Sequence, residues 1–292
     1  MLLIEQMKKA ENCTYNQKII LDYMIEKKQE IENMTLKELA KVTYTSPASF
    51  VRVAKRMGFD GFEQFRTAFL EEQKYLNTHF QNIDSNLPFG PRDSYLTIAN
   101  RIAILEEETI SDTLSLINND TLIKAVDIMK KADVIHVSAI SYPLLYARDF
   151  QLNMRRIGKK VEITELVGEQ LYMAPIIGKN DCALIISYSG QTPVNVEMMN
   201  LFKRKNIPII AMTSLGDNTI RKNADVVLDL TTREKLYSKI GGFTNEVSIK
   251  FLLDILYSCY FSIEYEANLN YKKNLSKISE PGRYSNTDPL KE

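Results

Sequence analysis

Histidine and cysteine are scarce in this chain of 292 residues, which holds two of the first, His79 and His136, and three of the second. Cys13, Cys182 and Cys259 lie far apart with no CxxC spacing, so neither a zinc site nor a disulfide framework is indicated. No metal and no cofactor is expected. Net charge is also missing: 37 basic residues balance 37 acidic ones, so the chain as a whole has no pull on a polyanion. Long apolar runs are absent as well. The most apolar late segment, Phe251 to Ile263, contains Asp254 and is too short to span a bilayer. The opening MLLIEQMKKA carries its lysines after its short apolar stretch, the reverse of a signal peptide. The expectation is a soluble, cytoplasmic protein with no membrane partner.

What is present is ordinary globular material, 45% apolar and 25% charged, long enough for two domains. The informative stretch of the first is TLKELAKVTYTSPASFVRVAKRMGFDG, from Thr35 to Gly61. Thr35 with Glu38 three residues on forms a capping box that starts one helix. Ser46 caps a second, with Pro47 at its first position. Only Val42 to Thr45 separate the two, a spacing that suits a helix-turn-helix. On the second helix Phe50, Val53, Ala54 and Met57 make an apolar stripe. Ser49, Arg52 and Arg56 make another, flanked by Ser46 and Lys55, and small hydroxyls beside cations suit a major groove. From Leu36 to Arg66 six cations face three carboxylates, an excess that permits DNA binding without proving it. The competing reading is a solvated basic face on a helical hairpin; the capping box, short turn and hydroxyl stripe weigh against it.

The run SPASFVRVAKRMGFDGFEQFR resembles the N-terminal helix-turn-helix domain of the RpiR/MurR family of bacterial transcription regulators, over about Tyr15 to Phe69. The resemblance implies a DNA-reading element between Lys37 and Arg56, with Lys37, Thr45, Ser46, Pro47, Ser49, Arg52, Lys55 and Arg56 as DNA-binding residues and a double-stranded operator as partner.

A polar, then Pro- and Gly-broken stretch from Asn77 to Pro91 reads as a linker. A helical pattern follows from Ser94 to Leu116, and another from Asn119 or Asp120 to Lys131. Beyond it, short β-rich runs alternate with helical segments. Strands are expected at 134–137, 161–164, 183–187, 209–212 and 226–230, and helices at 143–157, 168–176, 193–205, 217–223 and 244–264. Continuously apolar strands in βα units imply a doubly wound parallel sheet. The expected fold class is therefore α/β: an all-α helix-turn-helix domain over 1–77, a linker and connecting helix over 78–118, a five-stranded flavodoxin-type domain over 119–265, and a polar tail over 266–292.

The sharpest motif of the second domain is Ser187-Tyr188-Ser189-Gly190-Gln191-Thr192-Pro193, placed where an apolar strand gives way to a helix. Small hydroxyls, a glycine and a helix N-terminus make an anion cradle. In a sheet of order 2-1-3-4-5 the first and third strands flank the switch-point crevice, so Ser138 to Ser141 would open into the same pocket. Helix capping alone is the plainer account of these serines. LIISYSGQTPVNVEMMNLFKRKNIPIIAMTS resembles the phosphosugar-binding motif of sugar isomerase (SIS) domains. That resemblance implies effector contacts from Ser187, Ser189, Gly190, Gln191 and Thr192, joined by Ser138 and Ser141 from the first loop. The first loop lacks the family's usual glycines, reading Ser138-Ala139-Ile140-Ser141.

An isomerase needs a base beside the sugar carbonyl. The serine-rich loop has none, and Glu246 and Glu169, both near helix starts, are the carboxylates on offer. No catalytic residue is assigned. The expected function is transcriptional regulation of sugar metabolism by a homodimer or homotetramer that senses a phosphosugar. An isomerase with a DNA-binding head and a DNA-binding protein whose second domain serves only assembly are the alternatives.

Overall fold

The computed structural model describes residues 3–8, 10, 13–78, 83–166, 168–285 and 287. The chain divides into two compact units, one built on the first 112 residues and one on 113–214 with 218–292. Residues 79–82 of the expected linker lie outside the described residues.

The first unit opens with helices α1 (Leu3–Lys8) and α2 (Tyr15–Lys27), followed by a 3-10 turn at Lys28–Asn33. Helices α3 (Leu36–Val42), α4 (Pro47–Arg56) and α5 (Phe62–Thr78) complete the head, and α6 (Tyr95–Ser115) follows. Each early helix starts where a hydroxyl can hold a free N–H. Thr14 and Thr35 form capping boxes with Gln17 and Glu38, and Ser46 caps α4 ahead of Pro47. The core of the head gathers Ile20, Leu21, Met24, Ile31, Leu39, Phe50, Val53, Phe62, Phe65 and Phe69. Phe50 and Phe62 meet edge to face with ring centroids 5.0 Å apart.

The second unit runs α7 (Asn119–Lys131), β1 (Val134–Ser138), α8 (Tyr142–Arg155), β2 (Lys160–Ile163), β3 (Cys182–Ser187), α9 (Pro193–Arg204), β4 (Ile209–Ser214), α10 (Thr219–Asn223), β5 (Val226–Leu230), α11 (Phe243–Ile263) and α12 (Tyr265–Ser279). All strands are parallel, in the order β2-β1-β3-β4-β5. Alternate residues of β3 and β4 feed two cores. Leu184, Ile186, Ile210 and Met212 meet Ala125, Met129, Phe150, Leu252 and Leu256 from α7, α8 and α11. Ile185, Ile209 and Ala211 meet Met199, Phe202 and Ile220 from α9 and α10. The last turn of α6 joins this unit through Thr113, whose buried hydroxyl lies 2.8 Å from that of Thr231 and 2.9 Å from that of Ser248.

One element differs from expectation. The segment expected as a helix at 168–176 is a 3-10 turn, Gln170–Ile176, because Pro175 has no N–H with which to continue an α-helical ladder. The polar stretch from Tyr265 onward, expected as a short helix or a mobile tail, forms α12 over Tyr265–Ser279. It is tied down by Tyr271, whose ring lies beside Gly158, by Tyr265 edge-on to Phe261 at 5.3 Å, and by Lys272 over the Tyr257 ring at 5.9 Å. No helix among the described residues is long and apolar enough to cross a membrane.

Candidate functional site

Two surfaces carry chemistry, one in each unit. In the head, the Thr35–Glu38 box is closed on both sides: the Thr35 N–H donates to Glu38 Oε2 at 2.7 Å, and the Glu38 N–H donates back to Thr35 Oγ1 at 3.3 Å. The Thr35 N–H, and then the Thr35 hydroxyl donating to the same oxygen at 2.7 Å, hold the Glu38 carboxyl below the usual carboxylate range. Lys37, Ser46, Pro47, Arg52, Lys55 and Arg56 are exposed, and Thr45 is half-buried. Ser49 differs from the expectation of a hydroxyl facing outward. It is 3% exposed, with its hydroxyl 3.0 Å from that of Ser46 and receiving Arg52 Nη2 at 2.9 Å. Ser49 lies at the border between the Arg56 and Val53 azimuths, and with its hydroxyl engaged by both partners it positions Ser46 and Arg52 instead of presenting itself to solvent.

In the second unit a cleft of about 420 Å³ opens at the C-terminal ends of β1 and β3, the switch point of this sheet order. Ser187, Ser189 and Thr192 line it from the β3–α9 loop, Ile140, Tyr142 and Pro143 from the β1–α8 loop, and Lys239, Gly242, Asn245 and Glu246 from the approach to α11. Thr192 makes no side-chain cap to α9; its hydroxyl is 3.0 Å from Ser187 Oγ. Hydroxyls and an uncapped helix start therefore meet on one wall, a donor set suited to an anion.

The remaining effector candidates shape that wall without lining it. Ser138 is buried and donates to Asn195 Oδ1 at 2.9 Å, while Asn195 Nδ2 holds the Ile186 carbonyl at 3.1 Å. Gln191 accepts from Thr219 Oγ1 at 2.7 Å. Gly190 has φ +63°, and a Cβ there would lie 2.0 Å from Asn218 Oδ1, so only glycine fits. Ser141 is exposed with φ +64° and ψ −137°, a glycine-like backbone adopted by a residue with a Cβ.

Glu234 lies opposite, and local patterning gives no sign of it. Its side chain is fully buried. The carboxylate accepts from Lys239 Nζ at 2.6 Å, Thr244 Oγ1 at 2.8 Å, Asn245 Nδ2 at 2.8 Å and the Asn245 N–H at 3.2 Å, and also from the Thr244 N–H. It thus closes the N-terminus of α11. The Tyr188 hydroxyl donates to the Glu234 carbonyl at 2.9 Å and accepts from its N–H at 3.0 Å, and burial raises the phenol well above its ordinary pKa. Lys239, 5.6 Å from the Tyr188 ring centroid, brings a cation to the cleft. Glu246 receives the Tyr146 hydroxyl at 2.8 Å. Glu169, just before the 3-10 segment, is exposed and does not line the cleft.

Comparison with known families matches both surfaces. The family model "Helix-turn-helix domain, rpiR family" matches residues 1–74 and the model "SIS domain" matches residues 128–254. The chain thus carries an rpiR-family helix-turn-helix domain followed by a SIS domain. Among curated relatives of this chain, an uncharacterised HTH-type transcriptional regulator of Caldanaerobacter subterraneus is 24% identical over 269 residues, covering 92% of this chain and 93% of its own. Another, from Clostridium perfringens, is 26% identical over 263 residues, covering 88% and 91%. Among solved structures, the Vibrio vulnificus NanR protein complexed with ManNAc-6P aligns with TM-score 0.60 and 20% identity over 97% of this chain and 100% of that one.

Of the cleft residues that the motif did not reveal, Lys239 had one legible sign nearby, the pair Gly241-Gly242 just before an apolar helix. A Cβ on Gly242 would meet Glu246 Oε1 at 2.2 Å, which marks a close approach of backbone to side chain.

Proposed function

We propose that this chain is a DNA-binding transcriptional regulator whose SIS domain binds a phosphosugar and thereby changes the affinity of the head for its operator. The observation that carries the reading is the meeting of Ser187, Ser189 and Thr192 with the uncapped start of α9 in one cleft. The wall offers donors to a phosphate, and Lys239, Asn245 and Glu246 offer partners to a polyhydroxylated body. NanR, which aligns over 97% of this chain, is complexed with ManNAc-6P, and this supports a phosphosugar as the ligand class here. The exposed Arg52, Lys55 and Arg56 on α4, with the exposed cap Ser46 ahead of them, support a major-groove contact. Pairing of chains fits the exposed apolar side chains of α8, Tyr142, Leu145 and Leu152. A ligand that favours one arrangement of a pair by about 1–3 kcal/mol would change operator affinity roughly 5–150-fold.

The test is a thermal-shift panel of sugar phosphates, amino-sugar phosphates included, on the parent and on Ser189→Ala. A shift with one compound that Ser189→Ala abolishes supports the site. A flat panel overturns the sensor reading, because ligand at 100 times its Kd should stabilise by about 2.7 kcal/mol. Glu246 in the same cleft favours a second reading, an isomerase with Glu246 as base. Turnover of aldose or ketose phosphates that Glu246→Gln abolishes would establish it.

A further inference from the structure

Among the described residues, four helices end in the same way. In each, an N–H just past the helix returns to a carbonyl five residues back, and the residue before it takes a left-handed backbone. At the end of α4 the bonds are Phe59 N–H to Ala54 O at 2.9 Å and Gly58 N–H to Lys55 O at 3.1 Å. After α8 they are Lys159 to Met154 and Gly158 to Arg155, and after α9 Ile207 to Phe202 and Asn206 to Lys203. Gly58, Gly158 and Asn206 have φ of +89°, +81° and +55°. These are the residue types that bear that conformation easily. The fourth instance ends α3, with Thr45 to Ala40 at 2.9 Å and Tyr44 to Lys41 at 3.2 Å. The left-handed residue there is Tyr44, at φ +51°.

A tyrosine in this position is strained, and the fold gains nothing visible from its ring, which is 95% exposed. The surroundings are rigid without it. Thr43, 3% exposed, donates to the Leu39 carbonyl at 2.7 Å, and its hydroxyl lies 2.9 Å from that of Thr45. A glycine or asparagine would make the same turn at lower strain, so the benefit of the aromatic ring lies outside the chain.

Resting on the reading of the head as DNA-binding, we infer that Tyr44 is a contact to the DNA backbone: its hydroxyl donates to a phosphate oxygen beside the groove that α4 enters. The position fits. Tyr44 stands two residues before Ser46, the cap of α4, in the turn between the two helices of the motif. Tyrosine is among the side chains that bind phosphate without reading sequence. Such a contact fixes register and holds for any sequence, so it can be tested without knowing the operator.

The experiment measures binding of the full chain to a 30-base-pair duplex of random sequence at low salt, for Tyr44→Phe, Tyr44→Gly and Arg52→Ala. Loss of one net hydrogen bond corresponds to a weakening of about fivefold for Tyr44→Phe. Because the phenol is uncharged, the slope of log affinity against log salt should stay that of the parent, whereas Arg52→Ala should reduce it by about 0.9. Tyr44→Gly should bind as weakly as Tyr44→Phe or more so, while its Tm equals or exceeds that of the parent. If Arg52→Ala weakens binding and Tyr44→Phe does not, the phosphate contact is wrong and the head reading stands. If Tyr44→Gly weakens binding only together with a fall in Tm, the residue is structural and the contact is overturned. If neither Arg52→Ala nor Tyr44→Phe changes affinity, the contact and the head reading fall together.

Discussion

Replacing Gly190 with alanine should destabilise the second unit by an amount that its geometry fixes. The residue has φ +63°, where a Cβ adds about 1–2 kcal/mol. That Cβ would also lie 2.0 Å from Asn218 Oδ1 and 2.1 Å from Cγ, so Asn218 must move. Asn218 is not idle: its Oδ1 accepts the Arg221 N–H at 2.9 Å as the cap of α10, and loss of such a cap costs about 1 kcal/mol. The two effects sum to about 2–3 kcal/mol, or about 5–10 °C in Tm for a unit of this size. Differential scanning calorimetry of Gly190→Ala against parent measures it. Gly168→Ala is the matched control, since Gly168 has φ +99° but nothing within 4 Å of an added Cβ; it should show only the backbone part. Equal shifts for the two variants, or a Gly190→Ala shift within 1 °C of zero, would refute the reasoning. The variant should also lose any stabilisation by sugar phosphates, because Gly190 sets the path between Ser189 and Thr192.

Replacing Ser141 by glycine should raise stability by about 1 kcal/mol, since φ +64° and ψ −137° suit glycine and no side-chain cap is given up; urea unfolding reads this directly. Glu38 has a lowered pKa when folded, so its contribution is complete above the unfolded glutamate pKa and vanishes as pH falls through the folded one. Glu38→Gln should therefore flatten the acid limb of the head's stability curve, and an unchanged limb would contradict the capping box seen here. Burial pushes the Cys182 thiol up to about 12. A thiol reagent at pH 8 should accordingly modify at most Cys13 and Cys259 in the native protein and reach the third thiol only on unfolding.

The fold was legible where short-range physics decides it. Ile185, Ile186, Ile209 and Ile210 sit in apolar runs with neither face polar, which is the pattern of strands covered on both sides. Thr35 with Glu38 and Ser46 with Pro47 fixed two helix starts from adjacent residues. The site was legible only in part, because its decisive bonds join distant positions. Ser138 is spent on Asn195, 57 residues away, and Gln191 on Thr219, 28 residues away, so hydroxyls and amides that read as ligand contacts act as internal struts. Ser49 was misread because its azimuth lies between those of Arg56 and Val53, and its hydroxyl is taken up by Ser46 and Arg52 instead of facing out.

The carboxylate of Glu234 gives the cleft a direction. Two helices begin on it, and both present partial positive charge from free N–H groups. At α11 that charge is already met from within by the buried Glu234, itself paired with Lys239. At α9 the end is open. A sugar phosphate entering the cleft is therefore asked to lie one way round, phosphate toward Thr192 and hydroxyls toward Asn245 and Glu246. A sugar bearing its anionic group at the opposite carbon should be rejected even when its size and charge are identical.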